Sequence, residues 1–228
     1  MPSILDFPAR TPGGGTVVVI PGRGVATGWY RWVADAAVAA GWSAELVDGL
    51  YEGSLDDRGG PAAYAAVTRL VREAHPDGGV VAIGHSTGAR VALQLGRELP
   101  VAGYVALCPI ADLADHVQRA RAYLPDYAWQ VIADLGEPTL RRAAYRERSP
   151  VTWLDRLDAP LLVVAGADDR VCPPYQAEAF GAAVVGGGPP VRIEIVSGAG
   201  HFFETAAATG SALPQVSALV TGWLGSLS

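Results

Sequence analysis

The sequence predicts an α/β protein, a mostly parallel sheet of six strands with helices on both faces. Three observations carry this reading. Short apolar runs alternate with longer amphipathic stretches along most of the 228 residues. The apolar runs are nearly continuous, as strands buried on both faces require. One of them, Val80–Ile83, leads through Gly84-His85-Ser86-Thr87-Gly88 straight into a helical stretch, which forces a sharp strand-to-helix turn. Half of the residues are apolar and 18% are charged, which suits a packed core and argues against disorder.

Taken in order, Thr16–Ile20 reads as a buried strand followed by the loop Pro21–Gly28. Trp29–Ala40 reads as a helix ended by Gly41, and Ser43–Val47 as the second strand. Pro61–His75 is a helix opened by proline and stopped before Pro76. Val80–Ile83 is the third strand, with its helix Thr87–Leu99 ending at Pro100, and Val101–Leu107 is the fourth. Leu161–Ala165 is the fifth, followed by a helix near Tyr175–Val184; Val191–Val196 is the sixth, and Leu213–Leu227 is a closing helix. Right-handed crossovers place every strand's C-terminal end on one edge of the sheet, so the loops after strands share that edge. The segment Ile110–Asp158 is too long for one crossover and holds helical pieces around Leu113–Tyr123, Tyr127–Leu135 and Thr139–Arg146. It reads as a helical cap rooted at the loop-bearing edge, the alternative being extra helices packed on one face. Residues 1–228 are expected to form a single domain with 110–158 as this insertion. Gly186–Pro190 and the acidic group Glu52, Asp56 and Asp57 are expected to be solvated loops.

The net charge is −6 and no basic run is present, so nucleic acid is not an expected partner. No apolar stretch reaches the roughly 18–20 residues that span a bilayer. Met1–Gly15 lacks the basic-then-apolar pattern of a signal peptide. The expectation is a cytoplasmic protein that does not engage membranes, and a composition rich in Ala, Gly, Val and Arg but poor in Lys points to a high-GC bacterial source. Cys108 and Cys172 read as small buried residues near strand ends, with a pairing between them left open. There is no HExxH, CxxC, P-loop or full dinucleotide fingerprint, so no metal or cofactor is expected.

Chemistry concentrates after three strands. The turn at Gly84–Gly88 lifts the Ser86 hydroxyl above the sheet edge, where it is exposed to attack a substrate. Serine needs a base, and the base needs an orienting carboxylate. The fifth strand runs into Gly166-Ala167-Asp168-Asp169, and the sixth into Gly198-Ala199-Gly200-His201, whose small residues let the loop fold close to the serine. Of the other histidines, His75 ends a helix, where a cation is welcome; His85 is expected to pack; His116 is expected at the surface, with a role in the cap as the alternative. Trp29, Tyr30 and Trp32 read as core or helix-packing aromatics, the alternative being that one of them walls the pocket. Tyr123, Tyr127 and Trp129 are candidates for an aromatic lid over an apolar acyl or polyketide-like group.

Gly84–Gly88, the run Pro160–Pro173 and Gly198–Phe203 together make the chain resemble the α/β-hydrolase superfamily over nearly its whole length, with Ser149-Pro150-Val151 similar to the carboxylesterase and prolyl-oligopeptidase-like branches. The resemblance implies a compact version without the first hairpin, and a chain order of nucleophile, acid and base that matches Ser86, Asp169 and His201. The family pattern G-x-x-D favours Asp169 over Asp168 as the acid. It also implies an oxyanion hole made by the backbone amides of Thr87 and Arg23, the latter in Pro21-Gly22-Arg23-Gly24, where proline replaces the usual histidine. The Arg23 side chain reaches a substrate carboxylate or points to solvent. The implied activity is hydrolysis of a small carboxylic ester or thioester through an acyl-enzyme, with a small-molecule acyl substrate as the partner. The alternatives are acyl transfer, lactone chemistry or acyloxy elimination at the same triad, a catalytically silent binding module, and peptide cleavage, which the lack of a propeller or gating domain disfavours. Oligomeric state is left open.

Overall fold

A computed structural model describes residues 2–9, 14–53, 58–184, 187–206 and 210–227. Asp56, Asp57 and Gly186, placed in solvated loops above, lie outside the described residues. Among the described residues, seven strands form one sheet: β1 (Ser3–Phe7), β2 (Thr16–Ile20), β3 (Ser43–Asp48), β4 (Val80–His85), β5 (Val101–Leu107), β6 (Leu161–Gly166) and β7 (Val191–Val196). Their spatial order is β1-β3-β2-β4-β5-β6-β7. β2 to β7 are mutually parallel, and β1 pairs antiparallel with β3 in the register Ser3↔Asp48 to Phe7↔Ala44. The expectation of six strands is corrected by β1. Its SILDF segment, with no residue fully buried, is that of an edge strand, which offers no continuous apolar run to read.

Among the described residues, eight α-helices surround the sheet: α1 (Arg31–Ala39), α2 (Pro61–Ala74), α3 (Thr87–Leu95), α4 (Leu113–Tyr123), α5 (Pro125–Leu135), α6 (Arg142–Glu147), α7 (Tyr175–Ala183) and α8 (Leu213–Gly225). Alternate strand residues feed the two cores, as the period of two demands. Val17, Val19, Ile83, Val105 and Val164 pack with α1 and α8, while Val18, Ile20, Ala82, Ala106 and Val163 pack with α2, α3 and α7. α3 stops at Leu95, four residues before the expected end. Its last turn tightens into i→i+3 bonds, Arg97 N–H to Gln94 O at 3.1 Å and Glu98 N–H to Leu95 O at 2.9 Å, ahead of Pro100.

A third apolar cluster belongs to the segment between β5 and β6, where Leu113, Val117, Ala128, Val131 and Tyr145 from α4, α5 and α6 close on Ile110 and Cys172. Asp112 caps α4, its carboxylate accepting from the amides of Ala114 at 2.9 Å and Asp115 at 3.1 Å. The two stems of the segment are joined to each other. Leu113 N–H donates to Ser149 Oγ at 2.9 Å, and Val151 N–H donates to Ala111 O at 3.3 Å. Gln176 of α7 holds the entry stem through the amides of Ala111 and Asp112, at 2.7 and 3.0 Å. Among the described residues no helix is long and apolar enough to cross a membrane.

Candidate functional site

Ser86 occupies the one-residue turn between β4 and α3 with φ 53° and ψ −120°, a left-handed backbone that a side chain-bearing residue adopts only under constraint. Its amide is fixed on Leu107 O at 2.8 Å. Gly88 makes the turn possible: a Cβ there would lie 2.3 Å from Pro21 O and 2.4 Å from Ile20 O, so only glycine lets the start of α3 sit against the end of β2. The same close approach brings the Pro21–Gly24 loop beside the first turn of α3. Arg23, Ser86, Thr87, His201 and Phe202 line one cavity of about 220 Å³.

Asp169 and His201 meet on the far side. Asp169 is buried, and its Oδ2 accepts from His201 Nδ1 at 2.7 Å. Its Oδ1 accepts from the amides of Val171 at 2.8 Å and Cys172 at 2.7 Å, so both carboxylate oxygens are held. A carboxylate only accepts, so Nδ1 carries the proton and Nε2 is the basic nitrogen of the neutral ring. Gly166, at the end of β6, lets the two loops touch: a Cβ there would lie 2.2 Å from Ala199 O. Asp168 is exposed, and its amide donates to Ala199 O at 2.9 Å.

A directed chain of hydrogen bonds ties the two sides together. His201 O accepts from His85 Nε2 at 3.0 Å, which leaves His85 Nδ1 as an acceptor. Tyr30 Oη lies 3.0 Å from that nitrogen and donates to it, while accepting from Gly22 N–H at 2.6 Å. The loop carrying Arg23 is thereby linked to the backbone of His201. His85 was expected to pack and Tyr30 to be a core or helix-packing aromatic or a pocket wall; both are buried, and the hydrogen bond between them adds to that reading. Tyr30→Phe strands the buried Gly22 amide and is expected to cost about 1–3 kcal/mol of stability and to lower turnover, as denaturant titration and kinetics on the same variant will show.

His85 is fully buried, and burial lowers its pKa to about 3; His116 falls to about 4 through burial and then the nearby Arg90 cation. Both are therefore neutral in the fold but take up protons near 6.5 once unfolded. Their contribution is complete above about pH 6.5 and is lost as pH falls toward 4 and then 3, at about 1.4 kcal/mol per pH unit for each histidine inside its window. Thermal unfolding midpoints are expected to drop steadily on acidification from about pH 7 to pH 4, and His85→Gln is expected to flatten that slope.

The insertion contributes Leu113, Tyr127, Gln130 and Val131 to the cavity. Of the three candidate lid aromatics only Tyr127 lines it; Tyr123 and Trp129 are 42% and 58% exposed. His116 has no exposure, against the surface position expected, because α4 turns it toward α5, where its ring lies 5.3 Å from that of Tyr127. His75 reaches Glu45 at 2.9 Å. Trp29 packs on His85 and Phe202, with ring centroids 5.3 and 5.5 Å apart. Cys108 and Cys172 are both buried free thiols. His85, Cys108 and His201 bring potential metal ligands within 4.8 Å of one another, a grouping with no sequence motif because the three follow or end three different strands. The His85 ring and His201 Nδ1 are already engaged in the bonds above.

Sequence reasoning passed over Arg58 and Arg90, which also line the cavity. Arg90 carried a signal: it stands within Ala89-Arg90-Val91-Ala92-Leu93, and every residue from Gly88 to Leu95 is buried, so its charge has no solvent side.

Residues 64–226 match the sequence profile of the prolyl oligopeptidase family. No curated protein matches the chain. Among solved structures, a monoacylglycerol lipase of Paleococcus ferrophilus is 18% identical, with both chains covered over 100% and a TM-score of 0.70. A proline iminopeptidase of Mycobacterium smegmatis is 15% identical, with 99% of this chain and 95% of that one covered and a TM-score of 0.71. An esterase of the Planctomycetes species Thermogutta terrifontis is 17% identical, with 100% and 90% covered and a TM-score of 0.71. At these identities the likeness is one of fold, the α/β-hydrolase fold.

Proposed function

Since the chain belongs to the prolyl oligopeptidase family, and so to the hydrolases of the α/β-hydrolase superfamily, we propose that it cleaves a small carboxylic ester or thioester with Ser86, His201 and Asp169 as its catalytic triad. Ser86 Oγ attacks the carbonyl carbon and His201 Nε2 takes its proton. The backbone amides of Thr87 and Arg23 hold the oxyanion, and His201 returns the proton to the leaving alcohol or thiol. Water then attacks the acyl-enzyme, its proton passing through His201 back to Ser86. Asp169 keeps His201 in the working tautomer. The helices of the 110–158 insertion act as a cap that gives the acyl pocket its wall.

The observation that carries this reading is the 2.7 Å Asp169–His201 bond behind a cavity that His201 shares with a serine in a left-handed turn. A cavity of about 220 Å³ favours a small ester over a peptide. A fluorophosphonate probe is expected to add one mass adduct, on the peptide containing Ser86, and to abolish turnover of short p-nitrophenyl esters. Folded protein left unlabelled would remove the serine from the mechanism. Product analysis separates hydrolysis, giving acid and alcohol, from elimination, giving acid and alkene.

A further inference from the structure

We propose that the cavity is an anion-binding acyl pocket, in which the Arg90 guanidinium binds a second, free carboxylate of the substrate, so that the preferred substrates are half-esters of short dicarboxylic acids. This deepens the hydrolase reading of the same cavity and rests on it. Three arginines, Arg23, Arg58 and Arg90, line the cavity, and no Asp or Glu does among the described residues, although the chain as a whole carries a net charge of −6. Arg58 is accounted for, its Nε donating to Asp134 Oδ2 at 2.5 Å. Arg90 is not. It is 4% exposed, Nη2 donates to Arg58 O, and Nε and Nη1 have no hydrogen-bond partner. Among the described residues no carboxylate forms an ion pair with it.

A buried, permanently charged group without a counter-charge is costly, and the groups that remove the cost are those offering a planar pair of acceptors to the guanidinium fork. A substrate carboxylate supplies them. Tyr127 and Leu113 of the insertion wall the cavity, so the bound anion is screened from water and the interaction is strengthened. His116 adds a second donor-capable group nearby: it is fully buried, and its Nε2 also lacks a partner. Arg90 follows Ser86 by four residues and so lies about one helical turn into α3. A carboxylate on Arg90 and an ester carbonyl at Ser86 therefore belong to one short molecule, as in a succinyl or glutaryl half-ester. Hydrolysis places water's hydroxyl on the acyl carbon and its proton on the leaving alcohol, releasing the dicarboxylate.

The test compares p-nitrophenyl half-esters of succinate and glutarate with the neutral butyrate and valerate esters of equal chain length, on wild type, Arg90→Met and Arg90→Lys. Wild type is expected to favour the charged member of a pair by about 10–100-fold in kcat/KM, Arg90→Met to lose that ratio, and Arg90→Lys to recover part of it. Free succinate or glutarate is expected to raise the thermal midpoint of wild type and not of Arg90→Met, a readout that does not need turnover. Fluorophosphonate labelling of Ser86 shows whether each variant has an assembled site. Should Arg90→Met fail to fold, the wild-type ratio and the dicarboxylate-induced stabilisation decide. A wild-type ratio at or below unity with Ser86 labelled would overturn the anion pocket and leave the hydrolase standing. Unlabelled Ser86 with dicarboxylate-induced stabilisation would overturn the hydrolase and leave the pocket.

Discussion

Ser86→Ala is expected to lower kcat for an activated short-chain ester by about 10⁴–10⁶-fold, with the remaining rate near that of the oxyanion amides and binding alone. The loss comes from chemistry and not from the fold. Alanine meets the same φ of 53° that serine does, and the amide bond to Leu107 O does not involve the side chain. The thermal midpoint is accordingly expected to stay within a few degrees of wild type. The neighbouring Cys172 thiol does not take over. Burial pushes its pKa well up, so it stays protonated and is a poor nucleophile. Steady-state kinetics on freshly purified variant, beside calorimetry, checks both halves, and turnover within tenfold of wild type would remove Ser86 from the mechanism.

Asp169→Asn is the second large effect, expected at about 10⁴-fold in kcat. The asparagine oxygen is able to keep the amides of Val171 and Cys172, so the loop holds its shape. Its NH₂ then faces His201 Nδ1, and an amide donor there forces the proton onto Nε2. The ring is left with its acceptor turned away from the serine. The substitution Asp168→Asn is the matched control: Asp168 is exposed, makes its bond through its backbone amide, and should leave turnover unchanged. If Asp168→Asn were the damaging variant of the two, the assignment of the acid would be reversed.

What the sequence made legible follows from which residues have a single physical solution. β2 and β5 have the bounds expected because each is an uncharged, mostly apolar run between turn residues, and β7 because Val191, Ile193 and Ile195 alternate with Arg192 and Glu194 after the Gly-Pro loop. The Ser86 turn was legible because a strand, a glycine-spaced serine and a helix in succession leave the chain one way to go. β1 was not, since a half-exposed edge strand has neither a continuous nor a strict alternating pattern. His116 was read as surface, with a place in the cap as the alternative; its helix, LADHVQRARAY, mixes charged and apolar residues, and which way such a helix turns one histidine depends on the partner helix, which only the fold supplies. Arg90 was missed for the opposite reason. A helix is usually read as amphipathic, with its charges outward, whereas α3 packs against β2, β4, β5 and α2 and is buried from Gly88 to Leu95. The Tyr30–His85 link joins residues 55 apart in sequence, and no local pattern announces it.

The joined stems of the 110–158 segment bear on how such a chain changes over time. Because Leu113 bonds Ser149 and Val151 bonds Ala111, the segment leaves and re-enters the sheet through one narrow neck. Closing a longer or shorter loop across a fixed neck changes its entropy only logarithmically with length. Insertions and deletions between residues 114 and 148 therefore leave the pairing of β5 with β6 untouched. The helices that wall the cavity are thus free to diverge as a cassette, while the loops bearing Ser86, Asp169 and His201 inherit their positions from a sheet that never registers the exchange.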